Sequence, residues 1–324
     1  MNPILSICIP TMNRAGLMMQ ALQSIHDSEI DKSKVQICVS NNCSDENYDA
    51  VLALIEEMRS SLKVDYIHQA NRLSADENML ETLKLARGDR IYFLGDDDYF
   101  LEGQLPQLMR LIDEQDPDLA IFNGIAVDAN NITLGTHFTS SPKTYTNLEE
   151  AFVDLRDKGS FGAILVKKEL LKETDFRALF GTSHAYGCYW IPILNNPESV
   201  RKIIVPDFPL VALRTGKKTY NHLKVYFSDI PYEIETYKKL LKPGLPQELN
   251  KGFERRYYSR IESVKFLIYL IQTGMDLRKI ESINPDVFKR IRLRTTLAHV
   301  IYHSGIYGAL RLIKRRFLTT GDIQ

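Results

Sequence analysis

Short apolar runs alternate with longer amphipathic stretches along the first hundred residues. Ile4 to Ile9, Val35 to Val39 and Val64 to His68 have the length and apolar character of buried strands. Apolar residues recur at helical spacing over 17–25 and 48–62, between these runs, and over 78–86, after the third run. A chain that repeats strand and helix in this way is predicted to form a doubly wound, mostly parallel α/β sheet.

A fourth apolar run, Ile91 to Leu94, leads through Gly95 into three consecutive aspartates, Asp96, Asp97 and Asp98. Ligands of open α/β sheets bind at the carboxyl ends of the strands. In an extended segment Asp96 and Asp98 point the same way, which suits one hard cation, Mn²⁺ or Mg²⁺, shared with a diphosphate. A solvated turn with an acidic helix cap is the structural alternative for these residues.

The second half of the chain changes from alternating elements to helices. The pattern predicts a helix at 105–113, a strand at 119–127, a turn at 128–131, a helix at 148–155 and strands at 163–166 and 210–213. Helical spacing then dominates 232–241, 253–271 and 287–317. We therefore predict an α/β domain over 1–222 and a helical C-terminal region over 223–324.

Composition narrows the class of protein. The 324 residues are 44% hydrophobic and 25% charged, which is typical of a globular chain. The 41 basic and 41 acidic residues cancel, so no global field indicates nucleic acid as a partner. The four cysteines lack zinc spacing, and we expect reduced thiols. Without a secretory signal or a long apolar segment, we expect a cytoplasmic protein, either free or peripheral at the inner face of the plasma membrane.

The loops that follow the predicted strands contain no known phosphate-binding glycine motif. Neither G-x-G-x-x-G nor G-x-x-x-x-G-K-[ST] follows the first strand, where the chain has Pro10, Thr11, Met12 and Asn13. A diphosphate held at this edge would therefore need a metal ion to neutralise its charge.

Four segments resemble, in order and spacing, the signatures of family 2 glycosyltransferases with the GT-A fold. They are Ser6 to Arg14, Val39 to Asp45, Asn71 with Asp76 and Asn78, and Gly88 to Asp98. The Leu-Gly-Asp-Asp-Asp form looks most like the bacterial surface-polysaccharide branch, including abequosyltransferase-like proteins. The resemblance covers roughly the first 120 residues.

The resemblance implies a role for several residues, with a nucleotide-sugar donor as ligand. Asp96 and Asp98 would bind the metal, and Asp76 and Asn78 would lie near the nucleotide or sugar, although both also suit helix capping. Where this chain has Asn41 and Asn42 the family usually has an aspartate, so the identity of the base stays open. The remaining donor contacts would come from Pro10, Thr11, Arg14, Asn42, Asp45, Asp97 and Arg214.

A polar and aromatic stretch from Gly181 to Trp190 is the segment we assign to the acceptor, a glycan or lipid-linked glycan. An inverting transferase needs a base for the attacking hydroxyl. The Glu-Asp pair that the family usually offers here is missing, so His184 is the predicted base and Asp175 its runner-up, with Asp157 third. A loop histidine that only bridges its neighbours is the alternative.

Two basic segments complete the candidate features. Arg214 to His222 could cover the donor diphosphate, with His222 as a further metal ligand, or could be a solvated turn. The predicted helix 287–317 carries eight basic and no acidic residues, which is typical of amphipathic helices that lie at membrane surfaces. A packed helix or a homodimer contact is the alternative for this helix.

These observations predict a metal-dependent glycosyltransferase of bacterial surface-polysaccharide synthesis, such as O-antigen or capsule, that moves a hexosyl or deoxyhexosyl group. Two other functions stay open from the sequence. One is a sugar-phosphate nucleotidyltransferase, which would lack its glycine-rich loop. The other is a non-catalytic glycan-binding or membrane scaffold subunit.

Overall fold

The computed structural model describes residues 3–137, 141–182, 184–200, 202–215 and 221–304. Its strands are β1 (Leu5–Thr11), β2 (Val35–Asn41), β3 (Lys63–His68), β4 (Arg90–Phe93), β5 (Tyr99–Phe100), β6 (Leu119–Ile121), β7 (Asn123–Val127), β8 (Thr133–His137), β9 (Lys143–Tyr145), β10 (Ile164–Lys167), β11 (Ile203–Val205) and β12 (Pro209–Arg214). Its helices are α1 (Ala15–His26), α2 (Asp49–Met58), α3 (Ala75–Leu85), α4 (Gln104–Gln115), α5 (Leu148–Leu155), α6 (Glu173–Ala178), α7 (Trp190–Asn195), α8 (His222–Lys224), α9 (Ile230–Leu240), α10 (Leu245–Ile261), α11 (Val264–Gln272), α12 (Ile280–Ile283) and α13 (Pro285–His303).

The larger sheet of the described ranges has the strand order β3-β2-β1-β4-β10-β6-β11-β9. The first four strands are parallel neighbours, and Cys8 of β1 lies in register with Cys38 of β2 and Phe93 of β4. All seven residues of β2 are buried, as expected of a strand covered on both faces. The predicted mostly parallel α/β fold is confirmed.

The loops after β1, β2 and β4 leave the same edge of this sheet because their strands are parallel. The first two loops are bonded to each other. Asn13 donates its backbone N–H to Ser44 Oγ at 2.9 Å and accepts the Asp45 N–H at 2.8 Å. Both loops turn through left-handed residues, Asn13 at φ 54° and Cys43 at φ 50°. The loops after β1 and β2 are therefore fixed to one another at the carboxyl edge of the sheet.

The predicted single strand over 119–127 is wrong. The chain leaves the large sheet after β6 and enters a second sheet, of order β5-β12-β7-β8, as β7. The apolar run is interrupted at Asn123 and Gly124, where β7 begins, but one polar residue and one glycine inside a run do not by themselves indicate a change of sheet. The strand predicted at 163–166 is present as Ile164–Lys167. As β10 it lies between β4 and β6 and is antiparallel to both.

Helix α3 begins three residues before its predicted start because Ser74 closes a capping box. The Ser74 hydroxyl accepts the Glu77 N–H at 3.2 Å, and Glu77 Oε2 accepts the Ser74 N–H at 2.8 Å. Two donors of the first helical turn are thus satisfied inside the protein. The longer helix places Asp76 and Asn78 in its first turn.

The chain divides into two compact units, 1–218 with 239–249, and 219–238 with 250–324. The second is helical in its described part. The helix predicted over 253–271 is broken at Glu262 and Ser263, between α10 and α11. Pro285 starts α13 rather than interrupting a helix, with the Asn284 side chain accepting the Val287 N–H at 3.1 Å. The predicted helix beyond Ser304 lies outside the described residues.

Candidate active site

The acidic loop follows β4 at the carboxyl edge of the large sheet. The side chains of Asp96 and Asp98 are buried, whereas Asp97 is 31% exposed. A Cβ atom at Gly95 would lie 2.7 Å from Asp98 Oδ2, so the turn requires glycine. The predicted pair of carboxylates is therefore present, turned into the protein.

Arg14, from the loop after β1, meets two of the three carboxylates. Its Nη1 donates to Asp96 Oδ1 at 2.9 Å and to Asp97 Oδ2 at 2.8 Å. The Tyr48 hydroxyl accepts the backbone N–H of Arg14 at 3.1 Å and lies 2.7 Å from Thr11 Oγ1. Three residues predicted at this edge, Thr11, Arg14 and Asp96, thus come together.

Burial changes the protonation of the two buried carboxylates. It raises the pKa of Asp96 to about 6, against the opposing effect of Arg14. Burial, with the neighbouring charge of Asp97, raises the pKa of Asp98 to about 8. At pH 7 Asp98 therefore keeps a proton that a cation could displace, whereas Asp96 is mostly ionised and paired with Arg14.

Two segments fix the orientation of Asp98. The backbone N–H of Arg214, at the end of β12, donates to Asp98 Oδ1 at 2.9 Å. On the other side a Cβ atom at Gly162 would lie 2.8 Å from Asp98 Oδ2, and Gly162 has a φ of 86°. The Tyr92 hydroxyl donates to the Gly162 carbonyl and holds that turn in place.

The chemistry of this site fits a hard divalent cation. Asp96 and Asp98 offer carboxylate oxygens, the ligands that Mn²⁺ and Mg²⁺ prefer, and Gly95 and Gly162 leave Asp98 Oδ2 clear of side-chain carbon. In the described ranges no three His, Cys, Asp or Glu side chains are grouped to hold an ion. Two protein ligands and a diphosphate are a common arrangement for Mg²⁺.

The loop after β2 uses its predicted base-contact residue internally. Asn42 accepts the Leu73 N–H at 2.7 Å and donates to the Leu73 carbonyl at 2.9 Å. Asp45 is exposed and pairs with Arg72 at 2.6 Å. Asn42 therefore fixes the chain that leads into α3, while Asp45 and Arg72 lie open at the edge.

The residues predicted from the α3 segment also have protein partners. Asn78 is buried, accepts the Ser40 hydroxyl at 2.7 Å and donates to the Ser40 carbonyl at 3.2 Å. Asp76 accepts the Gly181 N–H at 2.7 Å. Asp76 thereby joins α3 to the start of the segment that we assigned to the acceptor.

That acceptor segment approaches β4 through aromatic rings. Ring centroids are separated by 6.1 Å for His184 and Tyr186, 5.4 Å for Tyr186 and Phe161, and 5.6 Å for Phe161 and Phe93. The backbone N–H of His184 donates to Thr182 Oγ1 at 3.2 Å. His184 is thus connected by contacts to the strand that carries the aspartates; Ser183 lies outside the described residues.

Asp175, the second candidate base, lies on α6. Burial raises its pKa, and Lys172 opposes this shift. Its charge is close enough to the buried Cys188 to contribute to the raised pKa of that thiol. Asp157 falls in the turn after α5.

Arg214, predicted as a donor contact, has partners within the protein: its guanidinium donates to oxygens of the acidic loop, the β7–β8 turn and α1. His222 begins α8 in the second unit and stacks on Tyr226 with ring centroids 6.4 Å apart. The rest of the predicted basic loop, 216–220, lies outside the described residues, so its donor and metal contacts stay predictions.

Three residues around the acidic loop were not predicted from the sequence. They are Tyr48, Gly162 and Gln20, whose side-chain oxygen accepts from Arg214 Nη2 at 2.7 Å. Tyr48 reads as the apolar start of a helix, and nothing near Gly162 or Gln20 in the sequence distinguishes them. Pro10 lies inside β1, half-buried beside Ser40, and not in the loop after the strand as expected; its donor contact stays a prediction.

A mostly parallel sheet that gathers buried aspartates and an arginine at its carboxyl edge is the architecture of GT-A glycosyltransferases. Residues 6–173, just over half of the chain, match the family model described as Glycosyl transferase family 2. The chain belongs to this family, and it is a glycosyltransferase.

Relatives and solved structures extend the comparison. The chain is 26% identical over 233 residues to abequosyltransferase RfbV of Salmonella typhimurium, covering 67% of this chain and 68% of that protein. A Campylobacter jejuni protein named GalNAc(5)-diNAcBac-PP-undecaprenol beta-1,3-glucosyltransferase is 30% identical over 112 residues, 35% of each chain. The structure of Staphylococcus aureus TarS with UDP-GlcNAc aligns with a TM-score of 0.61 over 94% of this chain and 92% of its own, at 15% identity. At that identity the alignment establishes the fold.

Proposed function

We propose that this glycosyltransferase moves a sugar from a nucleotide-sugar donor to a hydroxyl group of a glycan or lipid-linked glycan. The observation that carries the proposal is the buried pair Asp96 and Asp98 at the carboxyl end of β4, beside Arg14. This is where ligands of α/β sheets bind. The donor diphosphate is assigned to this edge.

Asp96 and Asp98 are the residues that would hold Mn²⁺ or Mg²⁺. When bound, the cation acts as a Lewis acid that stabilises the departing diphosphate. Arg14 supplies a second positive charge at the same edge and keeps Asp97 oriented at 2.8 Å. His184 is the proposed base that takes the proton of the acceptor hydroxyl.

The acceptor class is proposed from the aromatic side chains beside His184. Phe161 is partly exposed and packs edge-to-face against the buried Tyr186, which gives an apolar ring of the kind that lines ligand sites, and Asp76 holds the start of the Tyr186 segment at Gly181. The named relatives include an abequosyltransferase and a GalNAc(5)-diNAcBac-PP-undecaprenol beta-1,3-glucosyltransferase. We therefore propose bacterial surface-polysaccharide synthesis as the pathway.

The test is thermal unfolding of the purified protein with UDP, GDP, CDP and dTDP, each with and without Mn²⁺. A ligand at about 100 times its dissociation constant adds ~2.7 kcal/mol to the free energy of unfolding. We expect one nucleotide to raise Tm, and to do so only with Mn²⁺. The effect should disappear in Asp98→Asn. The proposed donor site would be contradicted if no nucleotide raised Tm, or if a nucleotide raised Tm by the same amount without Mn²⁺.

We also propose that the protein contacts the inner face of the plasma membrane through α13. Leu293, Leu297 and Val300 lie on one face of this helix and are 86%, 48% and 61% exposed. The exposed Lys289 and Arg292 flank this stripe. Apolar residues with basic neighbours suit an anionic leaflet, where each Lys or Arg contributes about 1 kcal/mol.

A further inference from the structure

The guanidinium of Arg214 joins three segments around the acidic loop. Nε donates to the Asp97 carbonyl at 3.1 Å. Nη1 donates to the carbonyls of Asp128 and Ala129 at 3.1 and 3.2 Å. Nη2 donates to Gln20 Oε1 and Asn131 Oδ1, each at 2.7 Å. The five acceptors belong to the acidic loop, the β7–β8 turn and α1.

The backbone of the same residue holds the Asp98 carboxylate. The Arg214 N–H donates to Asp98 Oδ1 at 2.9 Å, at the end of β12. The next residue, Thr215, continues the pairing with β7 by donating its N–H to the Val127 carbonyl at 2.7 Å. The position of β12 therefore decides where Asp98 Oδ1 lies.

Only arginine can make this set of contacts. Its planar fork directs five N–H groups along fixed lines, whereas lysine offers three donors from one nitrogen. The acceptors are carbonyl and amide oxygens of the protein, so the guanidinium is already occupied on several sides. This differs from an arginine whose donors point at a bound diphosphate.

We propose that Arg214 is a positioning residue that sets the Asp98 carboxylate for cation binding and does not contact the donor. The inference rests on the proposed cation site. By clamping the acidic loop to α1 and to the β7–β8 turn, Arg214 holds β12 at the distance that its own N–H needs to reach Asp98. Losing such a partner of a metal ligand lowers metal affinity by about 10- to 100-fold.

The experiment is a Mn²⁺ titration of the full chain followed by electron paramagnetic resonance of free Mn²⁺. We expect Arg214→Lys and Arg214→Met to raise the Mn²⁺ dissociation constant about 10- to 100-fold. Gln20→Ala and Asn131→Ala each remove one acceptor and should produce smaller increases. Arg110→Met, which removes an exposed arginine of α4, is the matched control and should bind Mn²⁺ like the wild type.

Kinetics separate positioning from donor binding. In Arg214→Lys we expect kcat to fall at low Mn²⁺ and to recover at high Mn²⁺, while the donor KM at saturating Mn²⁺ is unchanged. Wild-type Mn²⁺ affinity in both Arg214 variants, or a raised donor KM at saturating Mn²⁺, would overturn the inference. If Arg214→Met fails to fold, the Gln20 variant decides the question, since it removes only the hydrogen bond to Arg214, whereas alanine at Asn131 would also strain a backbone with a φ of 63°.

A metal-free measurement tests the Arg214 clamp separately from the cation site. In Arg214→Lys, hydrogen exchange should accelerate at the Asp98 amide, which donates to the Gly95 carbonyl, and at the Asn131 amide, which donates to Asp128. If the wild type binds no Mn²⁺, the proposed cation site is wrong, and unchanged exchange would then refute the clamp as well. Faster exchange would retain Arg214 as the residue that orders this loop.

Discussion

Asp98 connects the two sheets of the α/β unit through a single carboxylate. It follows β4 of the large sheet and accepts the Arg214 N–H from β12 of the second sheet. Its burial raises its pKa to about 8, and no lysine or arginine side chain donates to it among the described contacts. Below that pKa the carboxyl keeps its proton, which a cation must displace, so cation binding at Asp98 should depend on pH.

The sign of the pH dependence follows from this shift. Between about pH 4 and pH 8 the native carboxyl of Asp98 keeps a proton that the unfolded chain has released, so stability falls as pH rises. Within that window Asp98 lowers the free energy of unfolding by about 1.4 kcal/mol for each pH unit, and above its native pKa this dependence vanishes.

Asp98→Asn should remove this loss. We expect its free energy of unfolding, relative to wild type, to increase from pH 5 to pH 9 in metal-free urea titrations. Glu114→Gln, an exposed change on α4, serves as the control and should give a constant difference. A difference between Asp98→Asn and wild type that does not change with pH would refute the assignment.

The catalytic base is a second prediction at the residue scale. His184→Ala should lower kcat by about 10²- to 10⁴-fold, as expected when a general base is lost. Asp175→Asn on α6 should retain most of the turnover, because that carboxyl is half-buried beside Cys188. Initial rates at saturating donor and acceptor, with melting curves to verify folding, distinguish the two. The reverse pattern would assign the base to Asp175.

Strands and helices were predictable where one local pattern decides them. β1, β2 and β4 follow from apolar runs, and α5 was predicted with its observed bounds, 148–155. The division of 119–127 between two sheets was missed, because a buried strand has the same composition in either sheet. The early start of α3 was missed because a capping box was not sought at Ser74 and Glu77.

The turn before β10 allows a prediction at the scale of elements. Gly162→Ala adds a Cβ atom 2.8 Å from Asp98 Oδ2 in a residue with a φ of 86°. Gly103→Ala has a similar φ of 71° with open space around it. Both should lose about 1–2 kcal/mol of stability from the left-handed backbone.

Only Gly162→Ala should also weaken Mn²⁺ binding and transfer, since its methyl group displaces Asp98. Urea unfolding measures the loss of stability that the two variants share, and Mn²⁺ titration measures the difference between their Mn²⁺ affinities. Equal Mn²⁺ affinity in the two variants would show that the space beside Asp98 Oδ2 is not needed.

At the scale of the whole molecule, the two units have different character. The first contains both sheets and the acidic loop, and the second is helical in its described part. In that second unit, α13 has no acidic residue after Asp286, and Arg290 and Arg294 pair with Glu262, which follows α10. Across the ranges that the structure describes, no helix is long and apolar enough to span a bilayer.

Vesicle co-sedimentation tests the proposed membrane contact of α13. The protein should bind vesicles with an anionic lipid fraction, bind neutral vesicles less, and dissociate at high salt because charges are screened. Leu293→Ser with Leu297→Ser, and separately Arg292→Glu, should reduce binding.

Leu134→Ser, a change at a 61% exposed position of β8, is the control and should have no effect. If the α13 variants alter the oligomeric state in light scattering and leave vesicle binding unchanged, this face is a homodimer contact instead.

The sequence by itself determined the fold class, and it placed Asp96 and Asp98 at the carboxyl end of a strand, where we propose the site. These depend on local patterns: apolar runs, turn residues and carboxylates placed where a strand ends. The tertiary structure decided which polar side chains serve the site and which serve the scaffold. Asn42, Asn78 and the guanidinium of Arg214 have hydrogen-bond partners within the protein. Such partners lie on segments distant in the chain, so hydrogen-bond geometry assigns these roles and residue type cannot.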